Sequence, residues 1–360
     1  MKTPSLRIAQ VSPLYESVPP RLYGGTERVV SYLTEELVRL GHNVTLFASG
    51  DSTTTAHLVA TGRHALRLSK TLRDPIAPHV AMLGQVIRRI SEFDIIHFHC
   101  DYLQFLALDS LRATTHLSTL HGRLDIPELQ LLYRKFKQVP VNSISQAQRK
   151  PLPFLNWQGT AYHGLPVSFY TPTTGQGTYL AFLGRISHEK RPDLAIKIAQ
   201  KAGMPLKIAA KVDTIDRPYF MERIKPLLGQ SSNVDYIGEI GDEEKNTFLG
   251  GAAALLFPVR WPEPFGLVMI EAMACGTPVI AYPHGSVPEI IEDGVTGFLV
   301  RNTSEAAEAV KKAMQLDRRA IRKRFEERFS ATRMCNDYLA LYEKMMLAHA
   351  QAASGTRPSH

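Results

Sequence analysis

The chain has little cysteine and no long apolar stretch. Its 360 residues include three cysteines, Cys100, Cys275 and Cys335, which lie far apart and in no spacing typical of metal ligands. This distribution predicts neither a zinc site nor a disulfide framework, and it favours a reducing compartment. No stretch reaches the ~20 apolar residues of a membrane-spanning helix, and residues 1–10 lack the apolar core of a secretory leader. We therefore expect a cytoplasmic protein.

The sequence also lacks the motifs of two common ligand classes. No strand is followed by G-x-G-x-x-G with an acidic residue about 20 positions later, which disfavours a Rossmann oxidoreductase. The formal net charge is +8, and residues 1–165 carry 18 Lys and Arg against 12 Asp and Glu, a surplus of +6. These charges are dispersed and no nucleic-acid motif accompanies them, so nucleic acid is the least favoured partner. An anionic ligand, an acidic lipid surface or simply a soluble basic surface stays open.

Short β-rich runs alternate with longer helical patterns along the whole chain. Predicted strands lie at 6–11, 43–48, 94–98, 115–120, 140–144 and 160–163, and then at 179–183, 206–210, 234–237, 253–257 and 278–281. Predicted helices lie at 25–40, 79–91 and 127–137, and then at 192–202, 217–228, 242–250, 266–275 and 304–314. This alternation predicts crossover units and two doubly wound parallel sheets, each with a crevice at the carboxyl ends of its strands.

Length and composition place a linker near the middle of the chain. A chain of 360 residues favours two domains, because single cores rarely grow beyond about 250 to 300 residues. Residues 168–178 are rich in proline, threonine and glycine and have the character of a linker. From residue 347 the pattern fades, and residues 352–360 are expected to form a polar, disordered tail.

Three segments contain residues suited to binding an anionic ligand. In the first, Gly24 and Gly25 follow the first strand and open a helix, where a backbone can approach a ligand closely and unpaired N–H groups face an anion. A Gly-Gly turn alone is weak evidence. In the second, Arg185 and Lys190 lie in a strand-to-helix loop, where two cations can clamp a diphosphate. Solvated surface charge is the alternative, and the position at a strand's carboxyl end favours a binding role.

The third segment carries the strongest signal. Glu263 precedes a helix and Glu271 lies eight residues later inside it, close to two helical turns, so both carboxylates can face one ligand. The free N–H groups near residues 265–268 point the same way. A carboxylate among Leu, Val, Ile and Met is costly to bury without a hydroxyl or a cation as partner. Sugar and ribose hydroxyls are such partners.

These residues resemble the retaining glycosyltransferases of family 4, which have the GT-B fold. The resemblance covers nearly the whole chain and is most specific in Pro-Glu-Pro-Phe-Gly-Leu-Val…Glu-Ala-Met-Ala-Cys-Gly-Thr-Pro-Val, which matches the family's E-x7-E motif. It implies two Rossmann-like parallel-sheet domains that face a cleft. It also implies that Glu271 holds the ribose hydroxyls and Glu263 the hydroxyls of the donor sugar.

The resemblance assigns roles to the other candidates as well. Main-chain amides at Phe265, Gly266, Leu267 and Val268 are expected to contact sugar and phosphate. Arg185 and Lys190 match the diphosphate-binding pair, and Gly24 and Gly25 match a glycine-rich loop beside the phosphates or the acceptor.

One histidine also matches the family pattern, and one position differs from it. His121 matches the histidine that closes on the donor sugar next to the anomeric carbon. A lone histidine at a strand end is more often structural, and only the resemblance raises this one. His97 and His99 match a strand signature and are expected to be structural groups rather than metal ligands. The family commonly has glycine after the phosphate lysine, where this chain has Arg191.

The resemblance also sets the expected domain boundaries, because the last helix of the family returns to the first domain. Residues 1–167 with 334–360 are then the N-terminal, acceptor-binding domain, and residues 168–333 the C-terminal, nucleotide-sugar-binding domain. Leu339, Leu341, Tyr342 and Met346 are expected to form the packing face of the returning helix.

The implied reaction is transfer of a hexose from a nucleotide sugar to an acceptor hydroxyl with retention of configuration. His121, Glu263, Arg185 and Lys190 are the implied catalytic group, without a protein nucleophile. Cations and helix amides hold the diphosphate, so no metal and no cofactor are expected. Family frequency alone favours UDP-glucose as the donor.

The acceptor stays open between a saccharide, a small molecule and a lipid-linked sugar. The basic, apolar stretch 129–137 is expected either to press on an anionic inner membrane face or to pack as an ordinary helix. A catalytically silent nucleotide-sugar-binding protein and an epimerase or phosphorylase of the same fold are the alternative functions.

Overall fold

The computed structural model describes residues 5–22, 24–69 and 72–353. The chain divides into two compact units. The first unit contains Met1–Gly164 and Ala331–His360, and the second unit is Leu165–Ser330. Both divisions fall three residues before the boundaries expected from the sequence. Most of the tail expected at 352–360 lies outside the described residues.

The first unit has a seven-stranded sheet in which all strands are parallel. Its strands are β1 (Arg7–Val11), β2 (Asn43–Ala48), β3 (His57–Ala60), β4 (Ile95–Phe98), β5 (Thr115–Thr119), β6 (Val141–Ser143) and β7 (Trp157–Thr160). Their order in the sheet is β3-β2-β1-β4-β5-β6-β7. The strand order reverses between β1 and β4, which is where open parallel sheets form a ligand crevice.

The second unit has a six-stranded sheet, also parallel throughout. Its strands are β8 (Tyr179–Arg185), β9 (Leu206–Lys211), β10 (Val234–Gly238), β11 (Ala252–Phe257), β12 (Val279–Ala281) and β13 (Gly297–Leu299). Their order is β10-β9-β8-β11-β12-β13, so the reversal lies between β8 and β11. The two doubly wound parallel sheets expected from the sequence are therefore confirmed.

Helices connect the strands in both units. Those of the first unit are α1 (Gly25–Arg39), α2 (Ile76–Arg88), α3 (Leu108–Leu111), α4 (Pro127–Lys135), α5 (Gln146–Arg149) and α14 (Ala331–Ala353). Those of the second unit are α6 (Pro192–Ala202), α7 (Arg217–Tyr219), α8 (Lys225–Gly229), α9 (Asp242–Gly250), α10 (Leu267–Ala274), α11 (Val287–Ile290), α12 (Thr303–Ala313) and α13 (Arg318–Phe329). A π-helical turn, Phe220–Ile224, joins α7 to α8. None of the described helices has the length and apolar character needed to cross a membrane.

Each unit has its own apolar core. In the second unit, buried side chains of α6 and α12 such as Ile196 and Val310 pack on Leu180 and Ile208 of the sheet. The described residues of the first unit form several apolar clusters, for example the one in which Met82 and Val86 of α2 pack with strand residues. Apolar periodicity in the sequence is sufficient to explain these contacts.

The edge strands differ from the expectation. The strand expected at 160–163 lies instead at β7, and β3 and β13 were not expected at all. Glycines explain why the sequence did not predict β7 and β13 correctly. A Cβ at Gly159 in β7 would lie 2.7 Å from Leu341 Cδ2, and one at Gly297 in β13 would lie 1.9 Å from the carbonyl oxygen of Val279. Close packing thus requires glycine there, although glycine weakens a strand signal in the sequence.

The last helix, α14, belongs to the first unit and contacts α1, but its buried face differs from the expected one. Of the four residues expected to pack, Tyr342 is fully buried, whereas Leu339, Leu341 and Met346 are only partly buried. The buried positions are Ala331, Met334, Cys335, Tyr338, Tyr342 and Met345. Polar atoms explain the difference, since the hydroxyls of both tyrosines meet partners inside the first unit.

Helix α13 is anchored by an arginine that the sequence did not single out. The guanidinium of Arg318 donates to the carbonyl oxygens of Thr173, Gly250 and Ala252 at 2.8 to 2.9 Å, and to the hydroxyl of Thr277. Burial lowers the pKa of Arg318. One side chain therefore satisfies backbone acceptors at residue 173 and at residues 250–252, and it contacts a side-chain hydroxyl of a third segment.

Replacing this anchor tests its contribution to stability. We expect Arg318→Met to lower the free energy of unfolding by about 3 kcal/mol, because several buried carbonyls lose a charged donor. Arg319→Met, at the next and exposed position of α13, is the matched control and should change it by less than about 0.5 kcal/mol. Urea unfolding of both variants measures the difference. Equal, small effects would show that the carbonyls find other partners.

Candidate functional site

In the second unit, the predicted residues gather at the strand-order reversal between β8 and β11. Arg185 ends β8 and Lys190 lies in the loop that follows it. Glu263 lies in the loop after β11, before α10 begins at Leu267. The carboxyl ends of neighbouring parallel strands share one edge of the sheet, so these loops are adjacent.

Two glycines hold the Glu263 loop in place. Gly266 has φ 83°, and a Cβ there would lie 2.8 Å from Met269 Cε, so the residue before α10 must be a glycine or accept strain. Gly285, at φ 61°, packs its Cα against the backbone of Glu263, where a Cβ would come within 2.3 Å of two atoms. Ser286 adds hydrogen bonds from its amide to the Glu263 carbonyl and from its hydroxyl to that of Phe265. The loop is therefore fixed before any ligand binds.

The carboxylate of Glu263 is paired with Lys190. Its side chain is 8% exposed and contacts the Lys190 ammonium directly. The indole N–H of Trp261 donates to the same carboxylate oxygen at 2.9 Å. The ammonium also lies 5.2 Å from the Trp261 ring centre, within the range of a cation–π contact. A buried negative charge is thus balanced by a cation from the neighbouring loop.

Glu271, in the second turn of α10, has its own lysine. Its side chain is 5% exposed, and Lys245 Nζ lies 2.9 Å from its Oε1. The hydroxyl of Tyr170 donates to the same oxygen at 3.2 Å. Lys245 also meets Asp242 at 3.1 Å. No feature of the sequence marks Lys245 as a site residue, because a lysine on a polar helix such as α9 is ordinary.

The first turn of α10 places main-chain amides beside these carboxylates. Gly266 is the N-cap residue and provides no side-chain acceptor. The amides of Leu267 and Val268 belong to the first turn, where N–H groups have no intrahelical acceptor. Phe265 is buried, at 2% exposure. Together with the helix dipole, this end of α10 suits an anionic or hydroxyl-rich ligand.

Arg185 stands among three carboxylates. It meets Glu189 at 3.2 Å, Asp216 at 3.4 Å and Asp213 at 3.7 Å. Burial and the repulsion from Asp213 and Glu189 raise the pKa of Asp216, although the arginine opposes the shift. Lys211 balances Asp213 at 3.0 Å. An anionic ligand at Arg185 must therefore compete with carboxylates already in place.

Arg191, where the family commonly has glycine, has a left-handed backbone conformation. It has φ 57° and ψ 50°, in the left-handed region, immediately before α6. Its guanidinium forms a two-point pair with Asp193 at 2.8 and 2.9 Å. Glycine adopts this conformation readily, and the ion pair opposes the strain of a non-glycine residue at positive φ.

In the first unit, Gly24 and Gly25 precede and open α1. A Cβ at Gly24 would lie 2.7 Å from Pro20 Cβ and 3.2 Å from Glu16 Cγ, so close packing explains this glycine. Gly25 is exposed at the helix N-terminus. Glu27 in the first turn is buried, and that burial raises its pKa.

His121 follows β5 and belongs to a cluster of histidines. Its Nε2 lies 2.8 Å from Nδ1 of His99, and its ring stacks on that of His163 at 5.3 Å. Burial lowers the pKa of His121 to about 3, and it lowers the pKa of His99 and His163 well below their usual value. All three rings are therefore neutral at pH 7 and can act as hydrogen-bond donors or acceptors.

Asp101 is a residue that the sequence analysis missed. It follows β4 and, with Arg191, is one of two described non-glycine residues at positive φ, here 52°. The residue is exposed overall, yet the surrounding protein removes water from its carboxyl group and raises the pKa to about 6. The main-chain N–H of His121 donates to it and opposes that shift. A strained residue with a raised pKa at the carboxyl edge of a sheet is a candidate for function.

The contact between Lys190 and Glu263 directly joins two of the predicted site residues. Arg185 and Glu271 meet other charged groups of the second unit. His121 and the Gly24–Gly25 pair lie in the first unit, on loops that follow β5 and β1. Within the part of the chain that the structure describes, no group of three His, Cys, Asp or Glu side chains is placed to hold a metal.

Two family models match the chain, one in each unit. A model described as "Glycosyltransferase Family 4" matches residues 23–152, and one described as "Glycosyl transferases group 1" matches residues 171–329. Together the matches span most of the chain. The second includes the whole Arg185 to Glu271 region.

Individual relatives match parts of the sequence or the fold. D-inositol 3-phosphate glycosyltransferase of Mycobacterium leprae is 33% identical over 145 residues, which are 39% of this chain and 34% of that protein. The chain thus covers about a third of the length of such curated relatives. The structure of AviGT4, a glycosyltransferase involved in avilamycin A biosynthesis, has a TM-score of 0.73 at 22% identity, over 95% of this chain and 98% of that one. HepE of Anabaena in complex with UDP-glucose has a TM-score of 0.71 at 16% identity, over 94% and 100%.

The raised pKa of Asp101 predicts a pH-dependent stability cost. An unfolded aspartate has a pKa of about 3.9, so ionising the folded residue lowers the free energy of unfolding. This loss is absent below about pH 4 and complete above about pH 6. We expect Asp101→Asn to raise Tm by about 2 °C at pH 7.5 and by less at pH 4.5. Asparagine also tolerates the left-handed conformation.

Thermal melts at both pH values measure this difference. Asp109→Asn, at a side chain that is 96% exposed in the same unit, is the control for a change from carboxylate to amide. An Asp101→Asn effect of equal size at pH 4.5 and 7.5 would contradict the assignment.

Proposed function

Because the chain belongs to the family 4 glycosyltransferases with the GT-B fold, we propose that it transfers a hexose from a nucleotide-sugar donor to an acceptor hydroxyl. The observation that carries the proposal is the arrangement at the β8–β11 reversal. There Lys190 contacts Glu263 beside the N-terminus of α10, with Arg185 at the end of β8. Cations, helix amides and buried carboxylates at one sheet edge suit a diphosphate joined to hydroxyl-rich groups.

Arg185 and Lys190 are proposed to stabilise the leaving nucleoside diphosphate. Negative charge grows on the diphosphate as its bond to the anomeric carbon breaks. Two cations and the first-turn amides of Leu267 and Val268 are proposed to balance that charge, with the diphosphate displacing the carboxylates that pair with Arg185 and Lys190. Such preorganised electrostatics usually supplies much of an enzyme's rate enhancement.

Glu263 and Glu271 are proposed to accept hydrogen bonds from the hydroxyls of the donor sugar and of the ribose. Each carboxylate is buried, and each already pairs with a lysine. A diphosphate at Lys190 draws the ammonium toward itself and leaves Glu263 an open acceptor for a sugar hydroxyl. Lys245 holds the Glu271 carboxylate in its orientation. Tyr170 donates to the same oxygen and limits how the carboxylate can rotate.

The finer features of the reaction are proposals from the family resemblance. They are UDP-glucose as the donor, retention of configuration, and attack of the acceptor on the face that the leaving group vacates, without a metal. The similarity in fold to HepE, which was solved with UDP-glucose, supports this choice of donor. His121 and the Gly24–Gly25 turn are proposed to line the donor or acceptor site in the first unit.

The acceptor is proposed to be a small molecule that carries a phosphate. The M. leprae relative is named as a glycosyltransferase of D-inositol 3-phosphate. The +6 surplus of residues 1–165 suits an anionic acceptor. A saccharide without phosphate and a lipid-linked sugar are the alternatives to be tested beside it.

The place of action is proposed to be the cytoplasm, with the inner membrane face as a second option. All three cysteines are free and buried, which suits a reducing compartment. Helix α4 exposes Leu131 at 69% near the basic Arg134 and Lys135, and such a surface can rest on anionic lipid.

An activity assay decides between transfer and the alternative functions. We expect nucleotide release from UDP-glucose only with an acceptor, and a product that keeps the donor's anomeric configuration by NMR. Release without an acceptor would indicate an epimerase or hydrolase, and binding without release a silent binding protein. The acceptor panel contains inositol phosphates, sugar phosphates, free sugars and a lipid-linked sugar.

Arg185→Ala is expected to lower kcat by about 100-fold, because a preorganised donor to the leaving group is lost. Arg217→Ala is the matched control, since Arg217 is exposed near the same acidic cluster and takes no part in the proposed site. Steady-state kinetics with UDP-glucose measures both. Wild-type turnover in Arg185→Ala would remove Arg185 from the mechanism.

A further inference from the structure

A buried path of polar side chains leads through the first unit to His121. Each member lies 2.7 to 3.2 Å from the next, and the order is Thr119, His97, Tyr342, Gln10, His99 and His121. The first five are at most 1% exposed. They come from β1, β4, β5 and the returning helix α14, so elements distant in sequence meet in one line.

Every histidine on this path is neutral at pH 7. Burial, strengthened by the neighbouring histidines, lowers the pKa of His97 and His99 well below its usual value. A neutral imidazole has one N–H donor and one lone pair. The proton position on one ring therefore determines what the next group must offer.

Gln10 sets the direction of the path. Its amide Nε2 donates to the hydroxyl of Tyr342 at 3.2 Å, and its Oε1 lies 2.8 Å from Nε2 of His99. A carbonyl oxygen only accepts, so the His99 proton lies on Nε2 and its Nδ1 carries the lone pair. His121 Nε2, 2.8 Å from that lone pair, must then be the donor. The lone pair of His121 is left on Nδ1.

Tyr342 holds the Gln10 amide in this orientation. Its oxygen accepts from Gln10, and its own hydrogen reaches Nδ1 of His97 at 2.7 Å. His97 Nε2 then donates to the hydroxyl of Thr119 at 2.7 Å. If the Gln10 amide were reversed, each proton between Gln10 and His121 would move to the other nitrogen. The His121 tautomer is thus coupled to a hydroxyl on α14.

The path leaves one acceptor without a partner. His121 Nδ1 is buried and makes no hydrogen bond with any residue that the structure describes. Buried polar atoms are normally satisfied, and an exception calls for a ligand or a functional reason. A hydroxyl group supplies the missing donor, whereas a carboxylate or a carbonyl oxygen does not.

We propose that Tyr342 is a positioning residue which, through Gln10 and His99, holds His121 as the Nε2–H tautomer, so that Nδ1 accepts a hydrogen bond from a ligand hydroxyl. The assignment of the hydroxyl to a sugar rests on the proposed function. The assignment of the tautomer does not, because it follows from the first unit alone.

Nitrogen-15 NMR of the full chain with labelled histidine tests the tautomer directly. Long-range proton–nitrogen correlations distinguish a protonated ring nitrogen from one with a lone pair, and His121→Gln identifies the His121 signals. We expect the proton of both His99 and His121 on Nε2 in the ligand-free protein at pH 7. A proton on Nδ1 of His121 would overturn the proposal.

Two tyrosine variants of α14 test the role of Tyr342. Tyr342→Phe removes the hydroxyl that orients Gln10, and we expect mixed tautomers at His99 and His121 and a fall in kcat/KM of about tenfold. Tyr338→Phe is the matched control, because that hydroxyl is equally buried but contacts Thr119 and Asn142 rather than Gln10. The control should keep the wild-type tautomers. Equal tautomer shifts in both variants would contradict the path.

The readouts separate this inference from the proposed function. A wild-type Nε2–H tautomer without turnover of any nucleotide sugar would leave the path intact and refute the function. Turnover of a nucleotide sugar by a protein in which His121 carries its proton on Nδ1 would support the function and refute the path. If Tyr342→Phe does not fold, the wild-type spectrum still decides the tautomer.

Discussion

Parallel pairing of strands is the constraint on which the site depends. In a parallel sheet every strand ends at the same edge, and the connecting helices return to the opposite edge. At the two places where the strand order reverses, β1–β4 and β8–β11, neighbouring loops diverge to opposite faces and leave space between them. The loops with Arg185 and Glu263 flank one reversal, and the one with Asp101 flanks the other.

The two units offset the free-energy cost of burying polar groups in different ways. In the second unit, the carboxylates of Glu263 and Glu271 pair with the ammonium groups of Lys190 and Lys245. In the first unit, the histidines around His121 are neutral and are connected by hydrogen bonds. Paired charges suit a ligand that carries a diphosphate. Neutral donors and acceptors suit hydroxyls, for which a fixed direction of each hydrogen bond matters more than net charge.

The sequence was sufficient for features that depend on local pattern. Periodicity predicted α6 and α9 with the bounds that the structure shows, and the spacing of Glu263 and Glu271 marked the site loop and α10. Features that depend on tertiary contacts were not visible. Strand β7 depends on the packing of Gly159 under Leu341, and the buried face of α14 depends on polar partners for Tyr338 and Tyr342.

The same distinction applies to the site residues. The motif residues could be identified because such a run of residues is uncommon, as with Glu263 in a Pro-Glu-Pro loop. Lys245 and Asp101 could not, since a helix lysine and a loop aspartate are common and become distinctive only through their neighbours. Lys245 requires Glu271 beside it, and Asp101 requires a left-handed backbone and a desolvated carboxyl group.

The second unit is proposed to bind a nucleotide sugar through Arg185, Lys190 and the α10 N-terminus. The most direct measurement is a thermal-shift panel of UDP, GDP, ADP and their sugar conjugates, with and without EDTA. A ligand that binds only the folded protein must raise Tm, and at 100 times its Kd it adds about 2.7 kcal/mol of stability. We expect clear stabilisation by one nucleotide family, UDP first, that EDTA does not change. No shift with any nucleotide at millimolar concentration would contradict it.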